Sequence, residues 1–324
     1  MSVLVADVGG TKTIVAVVDS NVVLKHTFKS REINLIEKIN QVLKEAKEEK
    51  NIEISEAAIA VPGHVERGCC KTTNLPWFID SKEILEKTLL KKVLLLNDFQ
   101  AVGLGLTLLD HRNIEEIVQL PYDDYMAKPS QGVKAVIGAG TGLGKSIVLK
   151  NGHVTLPSEG GHADFVVETQ EDYDLLHFLR VQKTTDLIDW ESVVSGPGIV
   201  NIYKFLTKDK PENGLKKEIM SADDYSKPIM ISRHREDETC LKTMEMFVRY
   251  FARCARNFAL DILATGGVYL AGGIAPKELE MLRQGFMEEF VRGRFKDLLR
   301  EIPVYVVMIE DAPLLGAARA IVKD

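Results

Sequence analysis

The 324-residue sequence has no long hydrophobic run: no apolar stretch approaches the roughly 18 residues needed to cross a bilayer. It also has no basic segment followed by an apolar signal core at its beginning, where the residues from Ser2 onward already read as a strand. These two absences exclude the common membrane and secreted classes. We therefore expect a cytoplasmic protein with no membrane partner.

Cysteine is scarce, and its four copies follow no metal-binding spacing. Cys69, Cys70, Cys240 and Cys254 form no C-x-x-C pair and have no matching histidine pattern. This spacing argues against a zinc site and against a disulfide framework. We expect four free thiols.

A surplus of basic charge is absent as well. The chain has 41 Lys and Arg against 47 Asp and Glu, a net charge of −6, so its overall charge does not attract phosphate backbones. We expect no nucleic-acid partner. The composition, 45% hydrophobic and 27% charged, is that of an ordinary globular protein. Because the length exceeds that of one compact core, we expect two lobes with a cleft between them.

Two glycine-rich turns are present, each directly after an apolar strand. The first is Asp7-Val8-Gly9-Gly10-Thr11-Lys12-Thr13, and the second is Gly138-Ala139-Gly140-Thr141-Gly142-Leu143-Gly144. Glycine lets successive backbone N–H groups approach anionic oxygens and form a nest. The pair predicts a polyphosphate clamp, with Asp7 holding a hydrated Mg²⁺. The alternative for each turn is an ordinary hairpin connection.

Strand and helix patterns alternate along the chain and predict an α/β fold. Three short strands from Val3 to Phe28 indicate an antiparallel meander, and a helix is predicted between Ile33 and Lys50. The uniformly apolar Val93 to Leu96 indicates a strand buried on both faces. The polar interval Thr207 to His234 indicates a surface excursion. Further strands and helices are predicted at Ala57 to Val61, Val133 to Ile137, Ser146 to Leu149, Val154 to Leu156 after an Asn151-Gly152 turn, Glu171 to Val181, Gly198 to Leu206, Glu238 to Leu263, Val268 to Ala271, Val304 to Val307 and Pro313 to Val322.

Asp98 is our candidate for a catalytic base. It lies where the apolar strand Val93 to Leu96 gives way to a helix, and open α/β sheets present ligand-binding groups at the carboxyl ends of their strands. The alternative is structural, because an aspartate in front of a helix is also a common N-cap. Both roles are compatible only if the carboxylate points into the cleft.

Several further polar residues could hold a polyhydroxylated substrate. Glu159-Gly160-Gly161-His162 offers a carboxylate and an imidazole, Glu191 adds a carboxylate and Asn74 adds an amide. Each sugar hydroxyl can be held by a paired acceptor and donor, which such a set supplies. The alternative for each residue is a position in a turn or on the surface.

Six motifs in order resemble those of the bacterial-type glucokinases, and the resemblance spans nearly the whole chain. The motifs are Asp7-Val8-Gly9-Gly10-Thr11, Asn97-Asp98-Phe99, Gly138 to Gly144, Glu159-Gly160-Gly161-His162, Ser195-Gly196-Pro197-Gly198 and Ala271-Gly272-Gly273-Ile274. The resemblance implies the two-lobed, actin-like ATPase fold, related to ribonuclease H, with mixed sheets and a central cleft. We expect a small lobe over residues 1–110 and a large lobe over 111–324, with the C-terminal helix able to pack back on the small lobe.

The resemblance also implies roles for individual residues. Asp98 would be the base in transfer of the ATP γ-phosphoryl group to the 6-hydroxyl of glucose. Glucose would be bound by Asn74, Asn97, Asp98, Glu159, His162 and Glu191. ATP and Mg²⁺ would be bound by Asp7, Gly9, Gly10, Thr11, Lys12, Gly140, Thr141, Gly272 and Gly273, with Asp7 reaching the metal through water. A homodimer is implied too.

Three other functions are compatible with parts of the pattern. The first is a kinase of another hexose, such as mannose or glucosamine. The second is a sugar-binding regulator, which would need a DNA-reading segment before the strand that starts this sequence. The third is an actin-like or chaperone ATPase, in which Glu159, His162 and Glu191 would have no sugar to bind. Related zinc-containing sugar kinases and repressors share the Glu159 to His162 element but carry a cysteine cluster after it, which this chain lacks.

Overall fold

A computed structural model of the chain describes residues 2–73, 75–149, 152 and 154–323, without the side chains of 322 and 323. Asn74, which is predicted to contact the sugar, and Asn151, which is predicted to lie in a turn, are outside the described residues. The chain divides by its internal contacts into two compact units. The first comprises Met1–Glu116, Ser146–Pro157 and Ile309–Asp324, and the second comprises Ile117–Lys145 and Ser158–Met308. The lobe boundary at residues 110 and 111 stays a prediction.

The strands and helices are numbered in chain order. The strands are β1 (Val3–Val8), β2 (Lys12–Val18), β3 (Val22–Lys29), β4 (Glu56–Val61), β5 (Val65–Glu66), β6 (Cys69–Lys71), β7 (Phe78–Asp80), β8 (Lys92–Asn97), β9 (Ile117–Leu120), β10 (Lys134–Ala139), β11 (Leu143–Val148), β12 (Thr155–Ser158), β13 (Gly267–Ala271) and β14 (Val304–Val307). The α-helices are α1 (Leu35–Lys50), α2 (Ser81–Lys87), α3 (Asp98–Leu106), α4 (Gln170–Lys183), α5 (Gly196–Thr207), α6 (Gly214–Ser221), α7 (Ser226–Arg233), α8 (Glu238–Ile262), α9 (Leu279–Phe290), α10 (Lys296–Arg300) and α11 (Ala312–Lys323).

The first unit is built on a five-stranded mixed sheet with the order β3-β2-β1-β4-β8. The expected meander is confirmed, because β1 pairs antiparallel with β2 and β2 pairs antiparallel with β3. β4 and β8 then extend the sheet in the direction of β1. Since side chains alternate across a strand, Leu4 and Val8 pack with α1 on one face, while Val3 and Val5 pack with α11 on the other.

Helix α11 closes the first unit by a very tight approach to α3. A Cβ added at Gly316 would lie 1.8 Å from the carbonyl oxygen of Ala101, and one added at Gly105 would lie 2.0 Å from that of Ala312. Only glycine allows these two helices to come so close, so the last residues of the sequence pack beside the helix that starts at Asp98.

The six-stranded mixed sheet has the order β12-β11-β10-β13-β14-β9. Strands β10, β13 and β14 are parallel neighbours, and β9 closes that edge in the antiparallel direction. Helix α8, predicted from its continuous apolar stripe, is confirmed and buries Met244, Phe247, Phe251 and Phe258.

Two sequence predictions are wrong in part. The interval Thr207 to His234 contains the helices α6 and α7, because each has an apolar residue to bury: Ile219 in α6 and Ile231 in α7. Strand β8 is buried only at its end: Val93 and Leu94 are half-exposed, since β8 lies at the edge of its sheet. The three-stranded sheet of β5, β6 and β7 was not predicted, because its strands are only two or three residues long.

The four cysteines are free thiols, as expected, with Cys69 partly exposed and the other three buried. Within the described ranges, no helix combines the length and the apolar character that crossing a membrane would require.

Candidate active site

Three parallel strands of the first unit end at one edge of its sheet and bring predicted site residues to that edge. Asp7 of β1 is level with Ala60 of β4, and Asn97 of β8 is level with Val61. β4 lies between β1 and β8, so the ends of β1 and β8 are separated by about 10 Å, twice the usual strand spacing. Loops after parallel strands are where α/β proteins bind ligands.

Asn97, not Asp98, is the N-cap of helix α3. Its side-chain oxygen accepts hydrogen bonds from the backbone N–H groups of Phe99 at 3.0 Å and Gln100 at 3.1 Å, and its amide nitrogen donates to the carbonyl of Gly63 at 3.2 Å. Asp98 therefore becomes the first helical residue, and one of its carboxylate oxygens accepts the Phe99 N–H at 2.9 Å. The half-buried Asp98 carboxylate is thus held at a strand end without serving as the cap.

The first glycine turn is both a hairpin and a supported loop. The Gly9 N–H donates to the carbonyl of Lys12 at 2.9 Å, which closes the turn between β1 and β2. Ser30 supports it from the side: its hydroxyl donates to the Gly9 carbonyl at 2.7 Å, and its N–H donates to the Thr11 carbonyl at 3.0 Å. The turn is therefore held in a fixed shape at the end of β1.

Asp7 lies beside this turn and has an unusual acidity. Burial raises its pKa from 3.8 to about 6, although the nearby Lys12 ammonium acts in the opposite direction. Lys12 itself is exposed, with its Nζ 3.7 Å from a carboxylate oxygen of Glu310. A buried carboxylate of this kind gains from a cation, and one or two carboxylates are what Mg²⁺ commonly takes from a protein. Asp7 therefore fits the predicted metal contact.

The second glycine turn lies against Gly272 in the second unit. Gly138 of β10 is level with Ala271 of β13, so the turns after these parallel neighbours start side by side. A Cβ at Gly272, which has φ +82°, would lie 2.6 Å from the Ala139 carbonyl oxygen. Cβ atoms at Gly140 and Gly273 would meet nothing within 4 Å among the described residues. The paired turns thus leave open space directly above their backbones.

The start of helix α5 joins these turns. The Gly196 N–H donates to the carbonyl of Gly140 at 2.8 Å, and Ser195 caps the helix by accepting the Gly198 N–H at 2.9 Å. A helix N-terminus favours negative charge because its first N–H groups and its dipole are positive. Gly140, Gly272 and the N-terminus of α5 therefore form one neighbourhood suited to an anionic ligand.

In the Glu159-Gly160-Gly161-His162 motif, residues Gly160–His162 form a single 3₁₀ turn. This turn lies against Leu143, the first residue of β11. Gly161 is required there, since a Cβ would lie 2.0 Å from the carbonyl oxygen of Leu143. Glu191 also contacts Leu143, accepting its backbone N–H at 2.8 Å. The Glu159 to His162 motif and Glu191 thus both contact Leu143, the first residue of β11.

His162 and Asp189 form a pair that sequence reasoning missed. The imidazole Nδ1 lies 2.9 Å from Asp189 Oδ2. This hydrogen bond is the main cause of a raised His162 pKa, which burial opposes and the charges of Glu191, Asp189 and Glu159 support. An aspartate three residues before Ser192 is recognisable as a cap, but nothing in the sequence connects it to a histidine 27 residues earlier.

The structure thus places the predicted residues in two groups. The first unit holds Asp7, Gly9, Gly10, Thr11, Lys12, Asn97 and Asp98, and the second holds Gly140, Thr141, Glu159, His162, Glu191, Gly272 and Gly273. Asn74 is outside the described residues. Among the residues that are described, no cluster of three or more His, Cys, Asp or Glu could hold a metal ion.

Comparisons with known proteins agree on one family. The glucokinase family model matches residues 4–324. The glucokinase of Nostoc punctiforme is 33% identical over 342 residues, covering 97% of each chain. The crystal structure of a glucokinase from an Antarctic psychrotroph is 26% identical with a TM-score of 0.78, covering 100% of this chain and 99% of that one. A Balamuthia mandrillaris glucokinase, solved with glucose, is 20% identical with a TM-score of 0.82 over 100% and 94% of the chains, and supports the fold alone.

Proposed function

The chain belongs to the glucokinase family, with its actin-like ATPase fold, and we propose that it transfers the γ-phosphoryl group of ATP to the 6-hydroxyl of glucose. The observation that carries the proposal is that Asn97, and not Asp98, is the N-cap of α3. Asn97 caps helix α3, and the half-buried carboxylate of Asp98, the next residue, lies directly after the carboxyl end of strand β8.

Asp98 would act as the general base. Phosphoryl transfer has a loose transition state, so the protein mainly positions the reactants and neutralises charge. As the glucose 6-oxygen forms its bond to the γ-phosphorus, the bond from that phosphorus to the bridging oxygen breaks, and ADP leaves. The hydroxyl proton passes to the Asp98 carboxylate. Proton transfer to a positioned carboxylate is a common form of general base catalysis.

The sugar would be held mainly by acceptors. We propose that Glu159 and Glu191 accept hydrogen bonds from glucose hydroxyls, that His162 contributes a ring nitrogen and that Asn97 lies beside Asp98 at the reacting end. Asn74 belongs to the same proposal on the family resemblance. Carboxylates accept only, while each hydroxyl both donates and accepts, so the imidazole supplies the complementary donor.

The nucleotide would be held by backbone groups. We propose that Gly9, Gly10, Thr11, Lys12, Gly140 and Thr141 bind the phosphates and that Gly272 and Gly273 pass close to the adenosine. The raised pKa of Asp7 supports its role as the Mg²⁺ contact, through water. When bound, Mg²⁺ would neutralise charge on the phosphates.

The cellular setting is part of the proposal. Four free thiols suit a reducing compartment, so we propose a cytoplasmic enzyme that feeds glucose 6-phosphate into glycolysis. On the family resemblance, we propose a homodimer, which sedimentation would distinguish from a monomer.

A coupled assay with a panel of sugars tests the proposed function. With ATP and Mg²⁺, glucose should give the highest kcat/KM. Mannose, the 2-epimer, and glucosamine, with an amino group in place of the 2-hydroxyl, should give lower values, because each changes the group that the site must pair at that carbon. A higher kcat/KM for mannose or glucosamine would identify a different hexose kinase. ATP hydrolysis that no sugar accelerates would contradict the proposal altogether.

A further inference from the structure

The side chain of Asp189 stands at the centre of a short chain of polar contacts that ends on His162. One carboxylate oxygen, Oδ2, lies 2.9 Å from His162 Nδ1. The other, Oδ1, accepts the Ser192 backbone N–H at 2.9 Å and the Ser192 hydroxyl at 2.5 Å. The ammonium of Lys183 donates to that hydroxyl at 2.6 Å. Lys183, Ser192, Asp189 and His162 therefore form a continuous hydrogen-bonded series.

The backbone fixes this series in register. The N–H of Phe165 donates to the carbonyl of Ile188 at 2.8 Å, and the N–H of Trp190 donates to that of Ala163 at 3.0 Å. These two bonds flank Asp189 and hold the segment after His162 antiparallel to the segment that carries Asp189. These backbone hydrogen bonds fix the relative positions of the segments that carry His162 and Asp189, and so they hold the two side chains together.

We propose that Asp189 is a positioning residue for glucose binding: it holds the His162 ring by Nδ1–H, so that Nε2 is the nitrogen that meets a sugar oxygen. A carboxylate accepts a hydrogen bond only, so Nδ1 must carry a proton in this pair. In the neutral ring Nε2 is then an acceptor, and it carries a proton only in the imidazolium form. In the imidazolium form, Nε2–H donates to the sugar.

The surrounding charges favour that form. The acidic groups Asp189, Glu191 and Glu159 all raise the pKa of the His162 ring, while the basic Lys145 lies near the same turn, with its Nζ 3.6 Å from the position of an added Gly160 Cβ. Glu159 and Glu191 can only accept hydrogen bonds from the sugar, and the imidazolium supplies a charged donor to a sugar oxygen. The inference rests on the proposed function for the identity of the sugar, but the contact between the two side chains does not.

The test compares Asp189→Asn with a matched control, Asp164→Asn. Asp164 is an exposed aspartate opposite Asp189 in the short antiparallel pairing. Its substitution by asparagine removes the same negative charge close to the same place. Asp189→Asn should raise the KM for glucose about tenfold at neutral pH, the effect of losing one charge-assisted hydrogen bond, with little change in kcat. The wild-type KM for glucose should rise with pH through the His162 pKa, and the variant should show that rise at lower pH. Asp164→Asn should match the wild type.

A second readout does not depend on activity. Imidazole ¹⁵N and ¹H NMR, with the His162 signals identified by their loss in His162→Gln, follows the titration of the ring in the unliganded protein. In Asp189→Asn its midpoint should fall by about one pH unit. Ser192→Ala keeps the carboxylate and the backbone N–H that it accepts but removes the hydroxyl and its link to Lys183. It should raise the KM for glucose by a smaller factor and serves if Asp189→Asn folds poorly.

The outcomes separate the two proposals. If the wild type shows no sugar-dependent ADP formation, the proposed function fails, and the NMR titration still tests the contact. If the wild type phosphorylates glucose but Asp189→Asn matches Asp164→Asn in both KM and His162 titration, the positioning role is overturned. An unchanged KM in Ser192→Ala would overturn the part played by Ser192 and Lys183.

Discussion

Glu191 accepts the backbone N–H of Leu143 through its Oε2 at 2.8 Å, so a residue predicted to bind sugar is joined to the strand that follows the second glycine turn. Gly161, in the Glu159 to His162 motif, lies against the carbonyl of the same Leu143: a Cβ at Gly161 would be 2.0 Å from that oxygen. Leu143 therefore joins the predicted sugar-binding residues of the second unit to the second glycine turn, which is predicted to bind phosphate.

This connection predicts different effects for two substitutions of Glu191. Glu191→Ala leaves the Leu143 N–H without its acceptor, which costs about 1–3 kcal/mol when the group is buried, and it should raise the KM for both glucose and ATP. Glu191→Gln keeps an oxygen in place, so thermal stability should stay near the wild-type value and only the KM for glucose should rise. Thermal unfolding and two-substrate kinetics measure both. Equal losses of stability in the two variants would contradict the connection.

Gly272 and Gly273 are adjacent but should respond oppositely to alanine. Gly272 has a positive φ and would place its Cβ 2.6 Å from a carbonyl oxygen, so Gly272→Ala should lower the Tm through a loss of at least about 1 kcal/mol. Gly273→Ala adds a methyl group in open space, so the Tm should hold. If that space takes the adenosine, the KM for ATP should rise, by about tenfold for 1.4 kcal/mol of lost binding. An unchanged KM for ATP would place the nucleotide elsewhere.

Parts of the fold and site were predictable because they depend on local pattern. The apolar stripe of α8 and the glycine turns at Gly9 and Gly140 are readable from neighbouring residues. The pairing of His162 with Asp189 was not, because it depends on how two distant segments align. The alternative role for Asp98, as the N-cap of α3, belongs to Asn97, because both residue types are good N-caps and only the backbone geometry distinguishes them.

Arg253 should be the most sensitive charged residue for stability. Its side chain is 2% exposed and joins three helices, with Nη1 2.6 Å from Asp172 Oδ2 on α4 and Nε 2.8 Å from Glu289 Oε1 on α9. Arg253→Met would remove the nearest cation from the buried Asp172 and one of the three cations beside Glu289, and it should cost about 3–5 kcal/mol. The control, Arg283→Met, breaks an exposed pair with Glu280 and should cost less than about 1 kcal/mol. Urea unfolding compares them, and similar midpoints for the two variants would refute the assignment.

Asp7 should make stability and activity depend on pH in opposite directions. Because its pKa is raised from 3.8 to about 6 in the folded protein, the proton is held more tightly there than in the unfolded chain. Its stabilising contribution is complete below about pH 4 and is lost as the pH rises through about 6. Asp7→Asn should therefore be more stable than the wild type at pH 8 and similar to it at pH 4.

Ionised Asp7 is also the form that would contact Mg²⁺, so the wild-type kcat/KM for ATP should fall as the pH drops below about 6. Asp7→Asn should lose most of its activity at every pH. Asp124→Asn, which alters an exposed aspartate, should change neither property. If the difference in stability between the wild type and Asp7→Asn did not vary with pH, the raised pKa of Asp7 would be contradicted.

Asp98→Asn gives the most direct test of the account, with glucose binding measured by calorimetry and turnover by the coupled assay on the same preparation. We predict that glucose still binds, since the amide keeps the shape and Asn97 still caps α3, while kcat falls by at least about 100-fold because no carboxylate accepts the 6-hydroxyl proton. A kcat near the wild-type value would show that Asp98 is not the base.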